Sequence, residues 1–294
     1  ISACLVGSEM CIRDSYYLTQ PLFANGPFVA KNKNKDEIIL KANSNYYANR
    51  PYLDEFIIKT FQDKGELERA LKKGKIHGGR DIVGNDKVNN FSLLLPRWHV
   101  LFFNLRQPAL QGVELRQRVK NGQPLDKSLE LSLVTNSGPS YQELARRIKE
   151  QLEKEGAKIN LISKESMELH EEVIPKRNFD LLLYGLDYSP DLDPYPFWHS
   201  SQIEEPGKNI AGFKNKTADK LLEEARMTTD MKVRNEKYLQ LQKIIEEEVP
   251  AIFLQQITLN YSVSKKIKGM DLGFVMSPAD RFQNITKWYI KSKR

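Results

Sequence analysis

The densest concentration of side chains able to do chemistry lies in one stretch, Tyr184–Ser201, which reads YGLDYSPDLDPYPFWHSS. It carries Asp187, Asp191 and Asp193, the aromatics Tyr184, Tyr188, Tyr195 and Trp198, and the prolines Pro190, Pro194 and Pro196. A carboxylate can pair with an ammonium group, aromatic faces offer stacking surface, and proline lowers the entropy lost when such a loop orders. The apolar run Phe179–Leu186 leads into it. The loop therefore starts at the carboxyl end of a predicted strand, where open α/β folds hold their ligands. Paired carboxylates can also serve glycoside hydrolysis as acid and base or nucleophile. Here all three share one proline-stiffened loop, and no opposing partner is marked. The competing structural reading is an irregular loop whose aromatics belong to the core.

Other chemistries find little in the chain. His77, His99, His170 and His199 are scattered without a ligand spacing such as HxxxH, so no metal site is expected. The motifs GxSxG, GxGxxG and GxxxxGK[ST] do not occur, which leaves serine hydrolysis and nucleotide chemistry unsupported, and no cofactor is expected. The basic runs KNKNK (31–35) and KKGK (72–75) read as a hairpin turn and a solvated helix end. No aromatic-interleaved basic groove accompanies them, so no nucleic-acid partner is expected. The net charge of +7 permits nucleic acid, anionic membrane or acidic solutes and selects none of them.

These residues need a scaffold, and 294 residues, 40% of them hydrophobic and 28% charged, allow about two domains. No apolar run of about 18 residues is present, so no membrane-spanning helix is expected. Pro27–Lys31, Asp36–Ala42 and Leu53–Phe61 read as strands, and Asp63–Lys73 as a short helix with Leu67, Ala70 and Leu71 on one face and Gly74 as its stop. Residues 75–96 look polar and irregular, followed by an apolar strand at Arg97–Leu105. Strands and helices then alternate. Leu129–Thr135 is a strand, and Ser140 with Glu143 forms a capping box for a helix whose stripe is Tyr141, Leu144, Ala145, Ile148 and Leu152. Gly156 ends that helix, Lys158–Ser163 is the next strand, and a helix at 165–173 precedes Phe179–Leu186. This is β-α-β texture, which implies a parallel pair. Helices follow at Thr217–Met227 and Asp230–Val249, the latter with Val233, Tyr238, Leu241, Ile245 and Val249 inward and Pro250 as its stop. Ala251–Gln255 reads as a buried strand, and the tail from Leu259 returns to β-like texture, as though one lobe were inserted in another.

Two resemblances refine this picture. Leu5–Ser15 (LVGSEMCIRDS) resembles a translated sequencing adaptor, so residues 1–15, which hold both Cys4 and Cys11, are expected to be a non-native segment without regular structure. From Tyr16 the chain resembles the extracellular solute-binding proteins of family 5, the oligopeptide, dipeptide and nickel receptors of ABC importers. The matching segments are Asn25–Phe28, NSNYYANRPYLDEFIIKTF (43–61), LKKGKI (71–76), VLFFNLRQPAL (100–110), FDLLLYGLDYSPDLDPYPFWHSS (179–201), NIAGFKNKTAD (209–219), EEEVPAIFL (246–254) and DRFQNITKWYI (280–290).

The resemblance implies an α/β, periplasmic-binding-protein-like clamshell of type II, with two mixed-sheet lobes, here incomplete. Residues 16–104 and 261–294 would form the first lobe and 105–260 the second, with a hinge near Phe102–Arg106 and Tyr261–Ser264. Near 115–120 (LRQRVK) the family's usual continuation is missing, as if by an internal deletion, and this loss should expose apolar surface on the second lobe. The implied function is a non-enzymatic receptor that captures peptides and delivers them to an ABC permease. It would be monomeric and periplasmic or extracellular, with lipid anchoring to the cell membrane left open. The implied ligand residues are Tyr184, Gly185, Asp187, Tyr188, Asp191, Asp193, Trp198 and Asn209. Asp187 is placed to meet the peptide amine, although Leu186 stands where the family has tryptophan and the Asp193-Pro194 step comes late, which leaves Asp191 and Asp193 open for that role. A nickel chelate is the alternative solute, with His199 beside Trp198 as its one hint; a hydrolase or a nucleic-acid binder stands behind both.

Overall fold

The computed structural model describes residues 2–5, 25–188 and 192–291. The chain divides into two compact units, Ile1–Leu95 with Thr258–Arg294, and Pro96–Ile257.

In the first unit, β1 (Ser2–Leu5), β2 (Phe28–Lys33), β3 (Glu37–Ala42) and β4 (Glu55–Thr60) form a sheet in the order β1–β4–β3–β2. β2 and β3 make an antiparallel hairpin closed by the Asn34 amide on the Glu37 carbonyl at 2.9 Å. β4 pairs antiparallel with β3, and its other edge pairs parallel with β1. The head of the chain, expected to hold no strand, thus supplies one through its backbone. An open strand edge offers a row of amides and carbonyls to any extended segment within reach. Leu40 opposes Phe56 and Ile38 opposes Ile58, and Leu40, Phe56 and Ile58 pack into a cluster around Tyr261 and Trp288.

After the sheet comes α1 (Lys64–Lys72), capped by the Asp63 carboxylate accepting from the Glu66 amide at 2.7 Å, with Leu67, Ala70 and Leu71 buried. Gly74 ends it at φ +69, a conformation that costs glycine nothing. The stretch expected to be irregular instead holds β5 (Gly78–Arg80) and the start of β6 (Val88–Phe103). The first half of β6 exposes Asn89, Asn90, Ser92 and Leu94, so its polarity hid it from a reading based on apolar runs.

The second unit continues with α2 (Val113–Lys120), β7 (Glu130–Asn136), α3 (Pro139–Glu155) and β8 (Lys158–Lys164). Two short helical pieces, α4 (Ser166–Glu168) and α5 (Ile174–Lys176), flank a π-helical turn at Leu169–Val173. Then come β9 (Leu181–Asp187), α6 (Tyr195–Trp198), α7 (Lys216–Met227), α8 (Met231–Glu248) and β10 (Ala251–Ser264). The strands follow the order β10–β6–β9–β7–β8, with β7 parallel to both β8 and β9, and β6 antiparallel to β9. β7, α3 and β8 are the expected β-α-β unit. In the first unit again, Tyr261–Val263 of β10 pair with β5, and β11 (Ile267–Lys268) pairs with β12 (Tyr289–Ile290).

Two local details depart from expectation, and a third bears on the apparent interruption. The capping box at Ser140 does not form: Pro139 takes the first helical position of α3 and Gly138 the cap. Proline suits that position because its fixed φ is helical and it has no amide to leave unpaired. Val233 on α8 is 37% exposed, because the packed part of the helix begins at Leu241. Third, α2 does not fray where the sequence looks interrupted. Arg116 is buried and donates through Nη1 to the Leu110 and Gln111 carbonyls, and through Nε and Nη2 to those of Glu248 and Val249, all within 3.1 Å. Burial holds its guanidinium below the usual arginine range. Leu125 is buried in the following loop, and its amide donates to the Glu155 carbonyl at 2.6 Å.

Candidate functional site

β9 (LLLYGLD) reads apolar because side chains from both of its faces are buried. Its antiparallel register with β6 sets Arg97 opposite Asp187, His99 opposite Gly185 and Val100 opposite Tyr184. Opposed residues share a face and neighbours alternate, so Asp187 and Gly185 lie on the side of α3, and Tyr184 and Leu186 on the other.

On the α3 side, Arg97 donates through Nε to the Asp187 carboxylate; both side chains are about half exposed. Tyr141 of α3 reaches the strand here and stands edge-on to His99, ring centroids 4.8 Å apart. A Cβ on Gly185 would lie 2.7 Å from the Tyr141 hydroxyl, so glycine is required for this close approach. Burial, then the Asp187 charge, raises the Tyr141 phenol; burial, then the Arg97 charge, lowers His99. On the other side, the Tyr184 hydroxyl meets His170 Nε2 at 2.8 Å, and burial first, then Tyr141 and Asp187, pushes its pKa up to about 12.

The rest of the loop folds on itself. The Tyr188 amide donates to the Pro96 carbonyl at 3.1 Å, and its ring stands edge-on to Phe197. Asp191 lies outside the described residues. Asp193, with a side chain 13% exposed, accepts the Tyr195 amide at 3.0 Å and a fork from Arg226, at 2.9 Å from Nε and 2.6 Å from Nη2. The Arg226 guanidinium lies 3.6 Å over the Tyr195 ring, which stacks on His199 at 4.2 Å. His199 is buried, its Nδ1 taking the Ser201 amide and hydroxyl and its Nε2 facing Glu223 at 3.3 Å. This ring caps a turn, and the one hint of a nickel ligand is thereby committed elsewhere. Trp198 is buried among Phe102, Phe213 and Phe253. Asn209 is wholly buried, with Nδ2 on the carbonyls of His199 and Phe213 and Oδ1 accepting the Phe213 amide. Its polar groups all hold the loop.

The structure thus brings Tyr184, Gly185, Asp187 and Tyr188 together on and just beyond one strand, and makes Asp193, Trp198 and Asn209 its supports. Residues not singled out from the sequence join them: Arg97 and Arg226 as partners of the carboxylates, and Trp98, Tyr238 and Phe253 beside Tyr188 and Trp198 around a cavity of about 530 Å³. Among the described residues no group of His, Cys, Asp and Glu is arranged to hold a metal ion, and no helix is long and apolar enough to cross a membrane.

Residues 12–121 match the family profile of bacterial extracellular solute-binding proteins, family 5 Middle. Over that stretch the chain is similar to extracellular solute-binding family 5. The match begins inside the adaptor-like head. Among curated proteins, the oligopeptide-binding protein AppA of Bacillus subtilis is 24% identical over 339 aligned positions, covering 90% of this chain and 62% of AppA. The chain therefore spans less than two thirds of that relative. The aligned span also exceeds its own 294 residues, so AppA carries residues that it lacks. Among solved structures, AppA from Clostridium difficile superposes with a TM-score of 0.78 at 17% identity, covering 90% of this chain and 67% of that one. AppA of B. subtilis in complex with a nonapeptide gives 0.65 at 22% identity, covering 91% and 66%. The fold is that of these solved structures, the type II periplasmic binding proteins.

Proposed function

We propose that this chain is the substrate-binding receptor of an ABC importer, capturing peptides between two lobes and delivering them to a membrane permease. The observation that carries the reading is the match of residues 12–121 to the solute-binding family 5 profile, alongside a similar curated protein named for oligopeptides. The protein works by binding and release, not by catalysis, as a monomer outside the cell membrane, in the periplasm or tethered by lipid. Its lobes are residues 16–104 with 261–294, and 105–260, joined at a hinge near Phe102–Arg106 and Tyr261–Ser264. The long alignment with AppA supports an internal deletion, placed near 115–120.

The loop at the end of β9 meets the peptide amine. Both described carboxylates already have a cation, so the amine enters by exchange. Asp187 is the more open to it: its side chain is 55% exposed against 13% for Asp193, and its arginine makes one contact where Arg226 makes two. Titration calorimetry with a mixed peptide pool tests the reading, and heat from oligonucleotides that fades with salt, without heat from peptides, overturns it. Asp187→Asn is expected to weaken peptide binding by about 1.5–3 kcal/mol, the worth of a charged hydrogen bond. Unchanged affinity moves the role to Asp191 or Asp193.

A further inference from the structure

In the first unit, β1 occupies a place between two sheets. Its parallel register with β4 runs from Ser2 opposite Ile57 to Leu5 opposite Thr60. It also lies against β5, which is itself hydrogen-bonded to β10 in the other sheet. The glycines of β5 show what borders this place. A Cβ on Gly78 would lie 2.8 Å from the Tyr261 hydroxyl, and one on Gly79 would lie 2.8 Å from Ile82 and 3.2 Å from Leu67. Successive residues of a strand face opposite ways. The cluster around Phe56, Tyr261 and Trp288 therefore lies on one side of β5, and that of Leu67, Ile76 and Ile82 on the other. A strand seated beside β5 runs between two apolar clusters. The far edge of the four-stranded sheet is different. There β2 exposes Lys31 and Lys33 and its register shifts between Ala30 and Asn32, both of which discourage a further strand. By contrast β4 keeps an unbroken register with β3, and the one charge in its paired stretch, Lys59, meets Glu37 at 2.9 Å.

We propose that the gap between β4 and β5 is an acceptor site for an extended apolar peptide, which enters parallel to β4 and is held by its main chain. Strand addition of this kind draws affinity from backbone hydrogen bonds and specificity from the side chains that alternate to either face. The present occupant supports it. Ser2–Leu5 (SACL) belong to the adaptor-like head, carry no charge and are seated by a pairing that reads no side chain. Apolar residues at successive positions are favoured, because both faces of the added strand meet apolar neighbours, and a charge is rejected on either. The site lies wholly in the first unit and stands independently of the receptor reading.

Thiol capture tests this in the full chain. The register sets Cys4 opposite Lys59, whose partly exposed ion pair contributes little to stability. With Cys11→Ser and Lys59→Cys, mild oxidation is expected to join positions 4 and 59 within one chain. With Cys4→Ser added, position 59 is offered the end-blocked peptide ISACLV or one of two controls. ISPCLV carries a proline that removes a strand amide, and ISKCKV carries charge. ISACLV is expected to be captured at least tenfold faster than either. Ala3→Pro, which weakens the head's own hold, should quicken that capture at least threefold in a chain whose circular dichroism is unchanged. The chain that keeps Ala3 shows the preference by itself, so the result does not depend on the folding of the proline variant. Equal capture of ISACLV and either control overturns the acceptor site, as does capture that Ala3→Pro leaves no faster. A disulfide formed chiefly between two chains in the first variant also overturns it, because the head of a second copy is then the occupant.

Discussion

The two faces of the second unit's sheet are built from the same strands and end very differently. Against α3, Leu101, Phe103, Leu131, Leu133, Leu181 and Leu183 interlock with Ala145 and Leu152, and every one is buried. On the other face Val100, Phe102, Leu182 and Leu186 are as deeply buried, yet past them the packing opens at Trp98, Phe253 and Tyr188. The closed face is mainly aliphatic and filled; the open one ends in aromatic side chains and leaves room. Aliphatic side chains fill volume without directional demands, whereas rings retain a usable surface when one side is uncovered.

Substitutions can break this contrast. The largest effect is expected on the closed face, where Leu133→Ala should cost about 3 kcal/mol through lost burial and a cavity that rigid neighbours cannot fill. Denaturant titration measures it; a loss no greater than that from Phe253→Ala would mean that the faces do not differ in packing. Next comes the loop that borders the open face. Asn209→Ala should cost about 2 kcal/mol, because two carbonyls and an amide lose their partner at a wholly buried site. A melting temperature unchanged by that variant, with weaker peptide binding, would return Asn209 to the ligand. The smallest effect is a pH dependence from the closed face. Burial and Arg97 keep the folded pKa of His99 below its unfolded value near 6.5, so the stability it carries is present above that pH and declines as pH falls through it. His99→Gln should flatten this decline between pH 7 and 5, leaving the share of His77, which burial lowers in the same direction.

What was legible in the chain follows range. The helix that begins at Asp63, its stop at Gly74 and the β-α-β unit rest on short stretches of sequence, and their patterns are local. Apolar β9 announced itself because both its faces are covered. The start of β6 did not, since a strand with one face in water can read as loop. In the loop after β9, the residue types were legible but their pairing was not. Arg97 meets Asp187 across ninety positions, and Arg226 meets Asp193 across thirty-three. Such partners depend on strand register and helix docking, which no local pattern encodes. The opening at Phe253 is equally silent, because a half-exposed ring in a strand looks the same as a buried one.

One contact described above reaches further than its neighbourhood. The carbonyls at the end of a helix carry roughly half a negative charge, and on α8 those of Glu248 and Val249 receive the Arg116 guanidinium. α8 also walls the aromatic cavity through Leu241 and Ile245. The segment at which the chain looks interrupted is thus the electrostatic anchor of the pocket wall. Held in this way, the C-terminal end of α8 is a fixed edge rather than a fraying one.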